Sequence, residues 1–364
     1  MVSFFVSFCV SVLFSLLLIK LGKHNRATLD FDLASVQKVH SKAVPRIGGV
    51  GIFFAVLVTG AYTTWREPLI SKWLALLFIC SSVAFVGGVV EDLTKNVSAS
   101  RRLLLTAAAA ALGFFLIEAR IGHISLGNIV LTLPALWVGL PLTVLAVAGI
   151  ANAVNIIDGF NGLASAVTIC MLLSLGYVAF QVGDMFVLVA ALMVAGAVAG
   201  FFIFNYPAGL IFLGDGGAYF LGFMLGELSI LLVMRNHQVS TWYAALLLIY
   251  PVFETLFSVY RRLFLRGHSP GLPDGIHLHS LIFRRVVRWA VGPRDARALM
   301  RRNAMTSPYL WCISLMAVVP ATLFWKNTWA LMAFCVLFIA SYTWLYLRIV
   351  RFRAPRWMIL NKRK

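Results

Sequence analysis

Long apolar runs, broken by short polar segments, extend along this chain from one end to the other. Windows of about 17–25 apolar residues, the length that crosses a bilayer as a helix, fall near 2–21, 47–65, 72–90, 103–119, 133–152, 162–181, 185–204, 213–234, 241–260, 306–325 and 328–347. The pattern predicts an all-α polytopic membrane protein with about 11 transmembrane helices (10–11). Two features interrupt it: a polar break at 205–209 between the seventh and eighth spans, and Pro251 inside the ninth. Residues 1–19 have no basic stretch ahead of them and no small-residue cleavage site, and Lys20 and Lys23 follow them, so they read as a retained first helix rather than a leader.

The polar segments are not alike. Of 31 Lys and Arg residues, 26 lie in 20–46, 91–102, 261–305 and 348–364, while Arg66, Lys72, Arg120, Arg235 and Lys326 occupy the alternate side. By the positive-inside rule this asymmetry predicts a periplasmic N-terminus and a cytoplasmic C-terminus. Composition agrees, since 61% hydrophobic and 12% charged residues exceed what a soluble core can hide. A net charge of +18 raises the question of nucleic acid, but the cations cluster between spans, which suits topology and anionic headgroups or phosphates. The five cysteines all sit in apolar runs without metal-ligand spacing. We expect one transmembrane domain over 1–364. It carries a long cytoplasmic loop, 261–305, with a basic amphipathic helix at 281–302, and a basic tail, 348–364.

Five segments on the basic side carry the candidate chemistry: HSKAVPRIGG (40–49), VVEDLTKNVSASRRL (89–103), NAVNIIDGFNGL (152–163), FNYPAGLIFLGDGG (204–217) and PDGIHLHSL (273–281). Acids at a membrane boundary are costly and signal function by default. Glu91 and Asp92, ahead of Lys95, Arg101 and Arg102, suit a divalent metal beside a phosphate, or else a helix end with an ion pair. Asn152, Asn155 and Asp158 recur at i, i+3 and i+6 along one helix face, ahead of the turn-forming Gly159 and Gly162. Asp215, among glycines at the start of a span, is a Mg²⁺ ligand or an N-cap. His277 and His279 follow Asp274 and lack a third ligand for zinc, which leaves phosphate partners or a solvated pair. Glu227 and Glu254 lie deeper, Glu254 within reach of Arg261 and Arg262.

Taken together, from about residue 38 to 285, these motifs resemble the polyprenyl-phosphate N-acetylhexosamine 1-phosphate transferases. Those membrane enzymes start the lipid intermediates of O-antigen, enterobacterial common antigen, teichoic acid and peptidoglycan. The stretch from HSKAVPRIGG to GIHLH is closer to the sugar-nucleotide branches than to the muramoyl-pentapeptide branch. Glu91 stands where the family has the first of two aspartates, Ser280 where it has a third histidine, and Glu254 where it has an Asp. The resemblance implies that phosphate of a polyprenyl (undecaprenyl) phosphate attacks the sugar-bearing phosphate of a UDP-N-acetylhexosamine and releases UMP, at the cytoplasmic face of a bacterial inner membrane. It implies Mg²⁺ (or Mn²⁺) held by Asp215 and Asp158. Glu91, Asp92, Asp158, His277 and His279 become candidate catalytic groups. Lys42, Arg46, Asn152, Asn155, Asn205, Arg261, Arg262 and Asp274 become candidate substrate contacts. The partners implied are the lipid, the nucleotide sugar, the membrane and a second copy of the chain as a homodimer, with no nucleic acid. A transporter or lipid flippase is the alternative; it predicts ionisable groups near mid-membrane in repeated halves.

Overall fold

The computed structural model describes residues 1–22, 44–127, 129–266, 275–287, 296–353, 355 and 358. Among these, ten helices are long and apolar enough to cross a membrane, and a bent pair makes up to eleven. In chain order the helices are α1 (Val2–Gly22), α2 (Gly48–Arg66), α3 (Pro68–Thr94), α4 (Ala99–Leu116), α5 (Leu140–Ile157), α6 (Leu163–Val182) and α7 (Met185–Asn205). There follow α8 (Gly214–Arg235), α9 (Thr241–Leu247), α10 (Ile249–Tyr260), the short α11 (Leu278–Leu281), α12 (Ala296–Leu323) and α13 (Thr328–Val350). The expected all-α polytopic architecture is the one observed.

Helix α8 has no continuous polar face, and Gly214 to Val233 are all buried, Glu227 among them. A helix without a polar face belongs inside a bundle, and α8 packs on α2, α3 and α5. The first helix joins the bundle through small residues. Ser7, Ser11 and Ser15, one turn apart, are buried, and the Ser11 hydroxyl donates to the Ala197 carbonyl of α7 at 2.6 Å. A side chain at Gly196 or Gly200 would collide with the α1 backbone. Backbone contact through small residues is how helices gain packing energy where lipid offers no hydrophobic drive.

Three features depart from the uniform row of helices. The ninth span is broken: α9 and the helical segment after it meet at 69°. Pro251 lacks the N–H that the Leu247 carbonyl needs, so the helix turns there. Between α4 and α5 an antiparallel hairpin pairs β1 (His123–Leu126) with β2 (Ile129–Thr132), His123 opposite Thr132 and Leu126 opposite Ile129. Part of its signal was present, since Gly127 and Asn128 form a turn dipeptide ahead of Ile129–Thr132, a run rich in β-branched residues. Finally, of the stretch read as an amphipathic helix at 281–302, the part from Ala296 belongs to the long helix α12. Helical turns run through Val287, and 288–295 lie outside the described residues.

Candidate active site

The site is built at the N-terminal end of α8. The segments entering α2 and α8 run side by side: Phe212 N–H donates to the Pro45 carbonyl at 2.9 Å, Gly48 N–H to Phe212 at 2.9 Å and Gly49 N–H to Leu213 at 2.8 Å. Gly214 then turns the chain with φ +75°, where a Cβ would meet the Arg46 carbonyl and the Asp92 carboxylate. Side chains at Gly49, Gly88, Gly216 or Gly217 would likewise collide, so α2, α3 and α8 touch backbone to backbone.

This closeness lets an acid of one helix cap another. Asp92, at the end of α3, accepts the Asp215 N–H at 2.9 Å on one oxygen and the Gly216 N–H at 2.8 Å on the other. Both groups are orphan donors at a helix start, where the dipole also favours an anion. Asp92 therefore fixes the backbone that carries Asp215. The Asp215 carboxylate in turn accepts from Arg46 Nη2 at 3.1 Å and Asn155 Nδ2 at 3.0 Å. Its second oxygen meets the Arg102 guanidinium. Arg46 Nε also lies 3.9 Å from Asp92. Arg102 sits over the Tyr219 ring, and the Tyr219 hydroxyl donates to Asn152 at 3.4 Å.

Asp158 ends α5, one turn beyond Asn155, and is half-buried. Burial pushes its carboxyl up to about 8; Arg46 pulls it back and neighbouring Asp92 pushes it further. The turn that follows is held from below. Asn205 accepts the Gly162 N–H at 2.7 Å and the Ser165 hydroxyl at 3.3 Å, and donates to the Ile211 carbonyl at 2.9 Å. Asn303 of α12 accepts the Asn161 N–H at 2.7 Å, and the Ser307 hydroxyl donates to the Asn161 carbonyl at 2.6 Å.

The segment 275–281 closes the other side. Glu254 of α10 accepts the Leu278 N–H at 2.8 Å and the Tyr342 hydroxyl at 2.7 Å, and the Nδ1 atoms of His277 and His279 lie 3.4 and 3.8 Å from it. His279 reaches the Asp158 turn, its Nε2 being 3.6 Å from where a Gly159 Cβ would stand. Arg261 is buried and donates to the Ile276 carbonyl at 2.6 Å.

Of the residues expected from sequence, Arg46, Asp92, Asn155, Asp158 and Asp215 come together, and His279 joins them. Asn152 stands one helical turn deeper. Asn205 and Arg261 bond backbone groups and neighbouring hydroxyls of the protein, and Glu91 accepts the Val97 N–H at 2.6 Å. Arg262 is half-buried beside Arg261, and Lys42 and Asp274 lie outside the described residues. Sequence reasoning named Arg102 only together with Lys95 and Arg101, gave no role to Asn303, and placed Glu254 deeper in the membrane, within reach of Arg261 and Arg262. Arg102 had a signal: it stands one turn after the N-cap Ser98, on the inward side of α4, whereas Arg101 is exposed.

A divalent cation fits this donor set. Among the described residues no three His, Cys, Asp or Glu side chains converge as a closed metal cage. What Asp215 offers is one buried carboxylate, with Asp158 near and the Arg46 and Arg102 guanidiniums beside it. That suits an ion which takes one or two protein carboxylates and completes its shell from phosphate and water.

Residues 74–233, from α3 to α8, match the model of glycosyl transferase family 4. The chain is 29% identical over 293 residues to a Bacillus subtilis protein named "Probable undecaprenyl-phosphate N-acetylglucosaminyl 1-phosphate transferase", with 77% of each chain covered. It is 26% identical over 264 residues to the undecaprenyl-phosphate alpha-N-acetylglucosaminyl 1-phosphate transferase of Thermotoga maritima, covering 72% of this chain and 76% of that one. To the phospho-N-acetylmuramoyl-pentapeptide-transferase of Clostridium beijerinckii it is 30% identical over 218 residues, 54% of this chain and 64% of the relative.

Proposed function

The chain belongs to the polyprenyl-phosphate N-acetylhexosamine 1-phosphate transferases of glycosyl transferase family 4, and on that premise we propose that it moves N-acetylhexosamine 1-phosphate from a UDP-sugar to undecaprenyl phosphate. A phosphate oxygen of the lipid forms a bond to the sugar-bearing phosphorus. The bond from that phosphorus to the bridging oxygen breaks, and UMP leaves with the electron pair. The second pKa of a phosphate monoester is near 6, so the nucleophile is largely ionised at neutral pH and needs no general base. Glu91 is then the tie that shapes the 91–98 loop.

The obstacle is the meeting of two anions, and the chain meets it by placement and charge. The single observation that carries the reading is the convergence of Arg46, Arg102 and Asn155 on Asp215 at the mouth of the α8 N-terminus. Asp215 with Asp158 would hold Mg²⁺ (or Mn²⁺), which when bound neutralises charge on the transferring phosphate. Arg46, a third of whose side chain is exposed, can face a phosphate without leaving the site. Asn155 aligns Asp215, His279 enters from the opposite wall, and Asn205 with Asn303 keeps the Asp158 turn in place. Lys42 and Asp274 are assigned to the nucleotide sugar on the strength of their motifs alone.

The bacterial relatives support an inner-membrane location, and the charge asymmetry supports this face in the cytoplasm and the N-terminus in the periplasm. There the reaction starts a cell-envelope polysaccharide. The named site residues come from one chain, so the reading holds with or without a homodimer. Purified protein incubated with undecaprenyl phosphate, Mg²⁺ and a panel of UDP-N-acetylhexosamines should release UMP with at least one donor. No UMP with any of them overturns the proposal.

A further inference from the structure

Glu254 stands inside a membrane-spanning segment, 1% exposed, where an ionisable group is retained only for a purpose. Its purpose can be read from what surrounds it. One oxygen accepts the Leu278 N–H at 2.8 Å and faces the Nδ1 atoms of both His277, at 3.4 Å, and His279, at 3.8 Å. The other accepts the Tyr342 hydroxyl of α13 at 2.7 Å. The two imidazoles stack, centroids 5.1 Å apart and planes within 8°, and both residues are buried. A second tie runs parallel to the first: Arg261 holds the Ile276 carbonyl and meets the Tyr346 hydroxyl, one turn after Tyr342.

A carboxylate opposite Nδ1 selects the tautomer that carries its proton there and turns Nε2 outward. For His279 the outward direction is the Asp158–Gly159 turn, with Phe160 edge-on to the ring, centroids 5.6 Å apart. We infer that Glu254, braced by Tyr342, is a positioning residue: it sets the tautomer and orientation of His277 and His279 and presents His279 Nε2 to the reaction site. Helix α13 thereby takes part in the site through Tyr342. The pairing also accounts for a carboxylate at 254 where an apolar residue would otherwise be favoured, because only an acceptor can receive the Leu278 N–H, the Tyr342 hydroxyl and an imidazole N–H together.

The inference deepens the transferase reading and rests on it for its kinetic consequence, but its structural content can be measured without substrate. The ¹⁵N side-chain resonances of the full-length protein in nanodiscs, assigned by loss in His277→Gln and His279→Gln, should report Nδ1 protonated and Nε2 bare in both rings. An Nε2-protonated pair in the wild-type protein overturns the inference, whatever the activity. In the UMP assay, Glu254→Gln should lower kcat by about 10²-fold, with the nucleotide-sugar KM within about threefold of wild type, as misplacement of a reacting group does. Glu254→Asp, which keeps the charge on a shorter arm, should recover about tenfold of that loss, and Tyr342→Phe should cost about fivefold. Glu254→Gln at the wild-type kcat, or Glu254→Asp no better than Glu254→Gln, also overturns it. If wild-type protein releases no UMP while the tautomers are as stated, the transferase reading fails and the positioning role stands.

Discussion

The two ends of helix α8 carry similar groups with different meaning. At one end Arg235 donates to Asp184 at 3.1 Å, and Asp184 also accepts from Asn236 at 3.1 Å and from the Val187 N–H at 3.1 Å, capping α7. One acid meets one cation, and the remaining acceptor capacity goes to an amide and a backbone donor. At the other end Asp92 performs the same capping duty for α8, but beside it Asp215 draws Arg46, Arg102 and Asn155, with Asp158 close by. The closed pair holds helices together. The cluster with three acids and two guanidiniums has more charge than a helix end requires. An acid with an arginine at a helix terminus is thus no sign of chemistry; what marks the site is charge left over after the helix has been capped.

The sharpest way to break this comparison is to remove the surplus acid. Asp215→Ala should lower UMP release by about 10³-fold, since several kcal/mol of charge stabilisation are lost, while the protein still extracts and migrates as folded. A wild-type rate would remove Asp215 from the chemistry. Arg102→Gln should cost about 10- to 100-fold, the worth of one charge-assisted contact, measured in the same assay.

The opposite end predicts the opposite outcome. Asp184→Asn should destabilise the fold by about 1–2 kcal/mol through the weakened cap and ion pair, seen as a lower thermal midpoint. The turnover of the folded fraction should be unchanged; a fall in kcat would join the two ends functionally and defeat the distinction. The smallest effect concerns pH. The Asp158 carboxyl has an ordinary value of 3.8 and is raised to about 8 in the folded chain. The folded state therefore keeps a proton that the unfolded chain releases, and stability falls as pH rises between those values. In Asp158→Asn this contribution is gone. The drop in thermal midpoint from pH 5 to pH 8 should be shallower than in wild type, and an equal slope would count against the raised carboxyl.

Much of the fold could be read without coordinates. Spans are decided by runs of apolar residues. The exceptions were local events: the hairpin after α4, hidden between two spans, and the break at Pro251, which the sequence marked without giving its angle. The motif segments also picked out most of the side chains that the fold gathers at the start of α8, because acids and amides at membrane boundaries have few other reasons to persist. Individual roles were harder to reach. Asn205, read as a substrate contact, lies with its polar atoms on Gly162, Ser165 and Ile211, and Arg261 reaches the Ile276 carbonyl. Arg102 needed the packing of α4 on α3 before it could be aimed at Asp215.

That division has a physical reason. The cost of placing a residue in hydrocarbon or water belongs largely to that residue, so the sequence alone determined that this chain crosses the membrane, about how often, and which segments collect its charge. The role of a polar side chain belongs to a pair: a donor matters only with an acceptor, over a few ångströms. Only the tertiary structure decided that Asp92 serves α8, that Asp215 receives the cations, and that Glu254 reaches across the bundle to a pair of histidines.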